Sequence, residues 1–389
     1  MSKSQKVKVR FKYMDKVLLI ITLILIIFGT LNIVTASSRE AVVNADANLF
    51  YYFYRHIIIL SIGVIGFFSI IRVPTKEYKY FIKTLYIIFL GLNLYLILKG
   101  VATRGANNWI NLKFFKLQPS EFTKPLLIVY LSVLFEKYYK KLNNPNLKHD
   151  MIIWKILGYG LIPVALVFLQ KDLGTATILL FIFMSLYVSS PISSGEKVKS
   201  IIIVSMIGVI LLFAMLSFSG YILSDAQMSR FDFYNPCKKY ETTGYQVCNA
   251  FIAINNGGLT GVGLGKSTQK YSYIPEPHTD MVFSIIAEEN GFIVCTLIFI
   301  AYIIILYRII KLSLKCKDIK NRYICLGVAM YIFAHIFINL GGLFGIIPLT
   351  GVPLPFFSYG GSFMLSLISA LSVIQRISIE TKYEKIKIN

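Results

Sequence analysis

Ile274-Pro275-Glu276-Pro277-His278-Thr279-Asp280 closes a polar stretch running from Gly244 to Asp280, and a new hydrophobic run begins at Met281. The motif therefore sets Glu276, His278 and Asp280 at what reads as a membrane boundary. An acid there is costly unless it is solvated, paired or employed, which makes Asp280 the first functional candidate. A carboxylate in that position suits general-base chemistry, and His278 is a second acid–base candidate or a residue that supports the first. Glu288 follows about two helical turns beyond Asp280. It either faces the same cavity or hydrogen-bonds across helices.

Upstream, Gly257-Gly258-Leu259-Thr260-Gly261-Val262-Gly263-Leu264-Gly265-Lys266-Ser267 imitates a nucleotide phosphate loop. Thr260 stands where that motif needs glycine, so ATP is not the expected ligand. The glycines can still offer backbone amides to an anion, with Lys266 and Lys270 adding charge, and a diphosphate at the membrane surface would suit them. A second polar segment, Lys99 to Glu121, carries Arg104-Gly105-Ala106-Asn107-Asn108-Trp109-Ile110 and then Gln118-Pro119-Ser120-Glu121. Arg104 brings a guanidinium suited to bidentate phosphate binding. Trp109 reads equally as an interfacial anchor, and Ser120 as the start of a helix. Asp172, in the turn Gln170-Lys171-Asp172-Leu173-Gly174-Thr175, is either a site residue or a helix cap.

The elements that position these groups must be membrane helices. The chain has 389 residues, 56% hydrophobic and 15% charged, with a mean hydropathy of +0.66. That is more apolar surface than a soluble domain buries. Runs long enough to cross about 30 Å of hydrocarbon begin near Leu18, His56, Ile82, Phe122, Ile152, Leu173, Ile201, Met281, Cys325 and Tyr359. The expectation is an all-α polytopic bundle of about ten transmembrane helices forming one domain, 1–389, with a large extracytoplasmic loop, 224–280, between helices 7 and 8.

Charge fixes the orientation. With a cytoplasmic N-terminus, the inside segments hold 27 of the 40 Lys and Arg and a net +19, against +4 outside. The positive-inside rule then puts both termini in the cytoplasm. The net charge of +21 is thereby a topology signal and a source of anionic-lipid contacts. No motif points to nucleic acid. The first apolar run lacks a small-residue cleavage site and is expected to remain as the first span. Pro348, Pro353, Pro355, Gly360 and Gly361 break the ninth-to-tenth connection at membrane depth. Such backbone is tolerated only when buried in protein or lining a polar cavity. Of five cysteines, only Cys237 and Cys248 fall on the oxidising side. They form a disulfide or remain two free thiols.

Taken together, these motifs resemble the SEDS membrane proteins, the family that includes FtsW, RodA and SpoVE. The resemblance covers nearly the whole chain. It rests on Arg104-Gly105-Ala106 with Trp109-Ile110, Gln118-Pro119-Ser120-Glu121, Asp172-Leu173-Gly174-Thr175, Gly244-Tyr245-Gln246, the glycine loop, Pro275-Glu276 with His278-Thr279-Asp280, and Pro353-Leu354-Pro355-Phe356-Phe357-Ser358-Tyr359-Gly360-Gly361. The glycine loop followed by Gln269-Lys270 is most similar to the division-type FtsW/SpoVE branch. Lys171 departs from the family's usual proline, Asn107-Asn108 from its usual arginines, Asn235 from an aspartate, and Cys237 from a tryptophan.

The resemblance implies a peptidoglycan glycosyltransferase of the bacterial plasma membrane that polymerises lipid II at the outer face, in division, elongation or sporulation. It makes Asp280 the catalytic aspartate and Arg104, Lys266, Lys270, Glu288, His278 and Asp172 the substrate-binding candidates. It allows a divalent cation, Mg or Mn, to help with the diphosphate. The implied partners are a class B penicillin-binding protein transpeptidase and other divisome or elongasome membrane proteins. The rival readings are a lipid II flippase and a non-catalytic division scaffold. No internal repeat of the kind common in transporters is visible, and the polar motifs cluster on the outer side, which favours chemistry.

Overall fold

The computed structural model describes residues 11–44, 48–99, 101–103, 106–111, 116–144, 149–219, 233, 235–241, 244–271 and 274–388. Among them lie ten long helices and one short one. These are α1 (Lys16–Asn44), α2 (Tyr51–Ile70), α3 (Tyr78–Lys99), α4 (Pro119–Leu142), α5 (Asp150–Leu169), α6 (Leu173–Ser189), α7 (Ser194–Ser219), the short α8 (Tyr245–Gly257), α9 (Val282–Lys315), α10 (Ile319–Leu343) and α11 (Gly361–Ile388). Seven of the long helices are long and apolar enough to cross a membrane. The chain is therefore an all-α, multi-pass membrane protein. Several of its helices begin up to two turns before the apolar runs do, because polar residues form the first turns. Asp15 illustrates this, its Oδ1 accepting from the Leu18 N–H at 3.1 Å, and Asp318 does the same for α10 through Lys320 N–H at 3.2 Å.

The first outer segment departs from the all-helical expectation. It folds into a small antiparallel sheet of β1 (Val101–Thr103), β2 (Ala106–Asn111) and β3 (Lys116–Leu117), in the order β1-β2-β3. Outside the bilayer there is no demand for helix, and strand pairing satisfies the backbone as well. Trp109 lies on β2, paired with Val101.

Burial separates an inner from an outer layer. Ser120, Glu121, Thr123, Lys124 and the run Leu127–Phe135 of α4 are buried, and α10 and α11 are buried along most of their lengths. α1, α2, α3 and the inner half of α9 instead expose Ile, Leu, Phe and Val stripes, as lipid-facing helices must. Gly160 and Gly327 let neighbours approach, since a Cβ at either would overlap the Phe183 ring or the Ile128 side chain.

α9 is interrupted at Gly291, whose φ of 75° and ψ of −179° leave the helix. The break frees backbone groups that hydrocarbon cannot satisfy, and the glycine loop supplies their partners. Val262 N–H donates to Glu288 O at 2.9 Å and Gly263 N–H to Glu289 O at 3.0 Å. Phe292 N–H donates to Gly258 O at 2.9 Å and Ile293 N–H to Leu259 O at 3.2 Å. The two chains touch so closely that a Cβ on Gly261, at φ +83°, would lie 2.3 Å from Glu289 O. Gly265, at φ +76°, faces open space. Gly265→Ala therefore carries only the left-handed strain of about 1–2 kcal/mol. Gly261→Ala adds a backbone overlap and is expected to cost about 2–5 kcal/mol in all. Comparing the thermal unfolding of both variants in detergent checks this, and equal midpoints would contradict the packing.

The outer loop is also cross-linked. Cys237 is bonded to Cys248, tying the turn at Pro236–Lys239 to the start of α8. Asn235 takes φ +52°, which asparagine tolerates, and a Cβ on Gly244 would overlap Pro236 O, so this corner is closely fitted.

Candidate active site

Asp280 sits two residues ahead of α9, at the end of a tight turn. Thr279 N–H donates to Glu276 O at 3.0 Å, and Thr279 Oγ1 lies 2.8 Å from the same carbonyl oxygen and 2.9 Å from Asp280 Oδ1. Glu276 takes φ +45°, a left-handed conformation unusual for a side-chain-bearing residue. The turn is held from two directions. From α1, Glu40 Oε1 accepts from Glu276 N–H at 3.0 Å while its Oε2 lies 3.2 Å from His278 Nδ1. From α10, Asn339 Nδ2 donates both to Asp280 O and to Val352 O, each at 2.7 Å.

His278 is buried, with Tyr52 at 4.5 Å and Tyr359 at 5.4 Å between ring centroids. Its carbonyl oxygen accepts from Tyr359 N–H at 2.8 Å. These contacts bury His278 and tie it into the turn. The Asp280 carboxylate is only half-buried. Across from it stands Gly351, at φ +72°, where a Cβ would lie 3.6 Å from Asp280 Oδ2. Glycine there keeps a side chain off that oxygen.

The broken connection between α10 and α11 forms the floor of this site. Its Val352 and Leu354–Ser358 are buried in protein, as broken backbone at membrane depth must be. Tyr302 OH donates to Pro355 O at 2.6 Å, Leu354 N–H donates to Ser358 Oγ at 2.7 Å, and Gly29 of α1 packs directly on Phe356 O. The same segment reaches Asp172. Gly174 at the start of α6 abuts Thr350 and Val352, and Asp172 caps that helix by accepting from Thr175 N–H at 3.0 Å. Asp172 Oδ2 also accepts from Asn108 Nδ2 at 2.6 Å and Gln118 Nε2 at 3.0 Å. Asp172 thus joins the sheet, α4 and α6, and its contacts are those of a cap. The preceding Lys171 has φ +62°, a conformation closed to the proline that the family resemblance leads one to expect there.

Two of the anticipated substrate ligands are occupied internally. Lys270 is buried, donating to Glu289 Oε1 at 2.9 Å and to Gly265 O at 2.7 Å. Glu288 is buried and accepts from Ser267 Oγ, from Thr268 Oγ1 at 3.0 Å and from Thr268 N–H at 3.2 Å. Both fasten the glycine loop to α9, because an unpaired charge at that depth would be prohibitive. Each therefore has an internal partner where the sequence reading placed a substrate ligand. Lys266 is exposed and remains available to an anion. Arg104 lies outside the described residues. Among the described residues no three His, Cys, Asp or Glu side chains converge to hold a metal ion.

A further polar cluster escaped the sequence reading. Lys124 and Glu121 form a 2.7 Å ion pair on α4, at 0% and 3% side-chain exposure. Lys124 Nζ also donates to His335 Nε2 of α10 at 3.1 Å. His335 Nδ1 must carry the ring proton, since it faces the Pro353 carbonyl at 3.1 Å. The cluster therefore braces the same broken segment that floors Asp280. A Glu-x-x-Lys pair inside an apolar helix was the available signal. Glu40 and Asn339 gave none, since each becomes notable only through what it touches.

The model of the FtsW/RodA/SpoVE cell cycle proteins matches residues 15–383. Stage V sporulation protein E of Bacillus subtilis is 31% identical over 95% of this chain and 98% of its own. The probable peptidoglycan glycosyltransferase FtsW of Coxiella burnetii is 33% identical over 95% of this chain and 97% of its own. Among solved structures, a chain of a peptidoglycan synthase complex superposes with a TM-score of 0.71 at 23% identity, covering 94% of this chain and 97% of that one. The rod shape determining protein RodA of Thermus thermophilus gives 0.66 at 23% identity, covering 94% and 96%. These superpositions establish a shared fold.

Proposed function

The chain belongs to the FtsW/RodA/SpoVE family of cell cycle proteins, and from that membership we propose that it is a peptidoglycan glycosyltransferase polymerising lipid II at the outer face of the bacterial plasma membrane. The observation that carries the reading is the near full-length similarity to relatives named as probable peptidoglycan glycosyltransferases, 30% to 33% identical. The half-buried Asp280, facing a glycine at 351, is consistent with it.

In the reaction, the 4-hydroxyl of one substrate's sugar attacks the anomeric carbon of another. Asp280 takes the hydroxyl proton as the new C–O bond forms. The bond from the anomeric carbon to the diphosphate breaks, and the polyprenyl diphosphate leaves with the electron pair, inverting the centre. A sugar hydroxyl is a weak nucleophile, and a positioned base contributes about 10² to 10⁴ in rate. Lys266, with Arg104, supplies positive charge for the leaving diphosphate. Lys270 and Glu288 act at one remove by fixing the loop that carries Lys266. A class B penicillin-binding protein is the proposed partner that crosslinks the strand.

The test is glycan-strand formation from labelled lipid II by the purified chain with its class B partner. Polymer supports the reading. Its absence, alongside lipid II translocation in vesicles, would transfer the assignment to transport.

The clamp on the catalytic turn makes a separate prediction. Glu40→Ala removes the acceptor for Glu276 N–H and the group facing His278. Displacement of a catalytic group by about 1 Å can cost 100-fold, so polymerisation is expected to fall about 10- to 100-fold. The loss should lie in kcat, with KM little changed, because Glu40 holds the base and not the substrate. A loss confined to KM would contradict that role.

A further inference from the structure

We propose that the loop from Gly258 to Lys266 is a re-entrant segment seated in the outer leaflet, with Leu259, Val262 and Leu264 among the lipid acyl chains and Lys266 at the level of the headgroup phosphates. The inference rests on depth, exposure and backbone satisfaction, and is independent of the catalytic assignment.

Depth comes from two helices. Arg308 of α9 binds Asp15 at 2.7 Å, fixing a common cytoplasmic level for α9 and α1. From Arg308 to Gly291, at 1.5 Å per residue, the rise is about 25 Å. From Asp15 to Asn32 on α1 it is also about 25 Å, and Asn32 Oδ1 lies 3.4 Å from Asn290 Nδ2 beside the break. The hydrocarbon core is about 30 Å thick. Gly291, and the loop bonded across it, therefore lie at the outer edge of the hydrocarbon rather than in open water.

Exposure agrees. Phe292 and Ile293 of α9 and Leu31 of α1 are exposed at that same level, continuing the lipid-facing stripes of both helices. Leu259 and Leu264, at 69% and 66% exposure, extend the stripe onto the loop, and Val262 joins them. Three aliphatic side chains on one short loop would be a liability in water.

Backbone pairing meets the usual objection in part, and at headgroup level water and lipid phosphates reach the remaining groups. Irregular backbone facing lipid is excluded when its polar groups are unpaired. Here the N–H groups of Gly261, Val262, Gly263 and Lys266 all donate within the protein, and the carbonyls of Gly258, Leu259, Gly263 and Gly265 all accept. The charges beneath, Glu288 and the Lys270–Glu289 pair, are enclosed. The Lys266 stem folds along Gly263 and its ammonium is exposed, the posture of a lysine reaching toward phosphate.

The experiment uses the full chain in nanodiscs of phosphatidylglycerol and phosphatidylcholine, spin-labelled at Leu259→Cys or Leu264→Cys. Ile300→Cys, on the lipid-facing stripe, and Asn48→Cys, in the outer turn, serve as references. Labelling of the unsubstituted protein corrects for its own cysteines. The expected result is a collision ratio of oxygen to a water-soluble nickel chelate several-fold higher at both loop positions than at Asn48, and approaching that at Ile300. A ratio equal to that at Asn48 would place the loop in water and overturn the proposal. Low collision with both reagents would mean that protein, a partner or a second copy, covers the loop, and would overturn it equally.

Discussion

Asp280→Asn is expected to abolish glycan-strand formation, by at least about 100-fold, in a protein that folds as well as the parent. The substitution is nearly isosteric. The Asn339 contact is made to the Asp280 backbone oxygen, and the amide oxygen of asparagine can still face Thr279. The carboxylate's ability to take a proton is therefore lost with little else. Labelled lipid II, incubated with parent or variant and the class B partner and resolved by length, gives the answer. Thermal midpoints of the two proteins must agree for the comparison to count. Polymer of equal amount and length from both would remove Asp280 from the chemistry and leave the glycosyltransferase reading without its base.

The largest effect on stability is expected at Lys124. Lys124→Met leaves Glu121 buried at 3% side-chain exposure without its counter-charge, and takes a donor from His335. Removing one partner of a buried pair costs about 3–5 kcal/mol, whereas replacing both by neutral groups is often close to neutral. The double variant Glu121→Gln with Lys124→Met should therefore recover much of what the single change loses. Fluorescence-detected unfolding in detergent measures both. Should the single variant unfold with the parent, the pair contributes nothing to holding α4 and α10 together. Because His335 braces Pro353 O, the single variant should also lose polymerisation before it loses its fold.

Much of this molecule was legible in its residues. Hydropathic runs gave the long helices, since hydrocarbon admits few alternatives to a helix of that length. Lysine and arginine counts gave an orientation. Pro353, Pro355, Gly360 and Gly361 announced a broken segment that had to be buried in protein or line a polar cavity. Asp280 was marked by an acid at a boundary, and the motif around it carried the family. The small sheet at Val101–Leu117 was not legible, because its strands are two to six residues long and lie in a polar segment without alternation.

The sequence also placed charge without saying what each charge does. Lys266 and Lys270 look alike in the chain, four residues apart and flanked by polar groups. Only the fold separates them, burying Lys270 against Glu289 and leaving Lys266 exposed. For Glu288 the sequence left a cavity role and an internal hydrogen-bonding role open, and the structure shows it bonded to Ser267 and Thr268. Glu40 lies more than 200 residues from the turn it clamps. By itself, then, the sequence determined the solvent each segment must live in, because transfer free energy depends on local composition and run length. The tertiary structure alone decided which ionisable groups stay free to meet substrate. Pairing depends on distances of about 3 Å between residues far apart in the chain, and no local pattern encodes those.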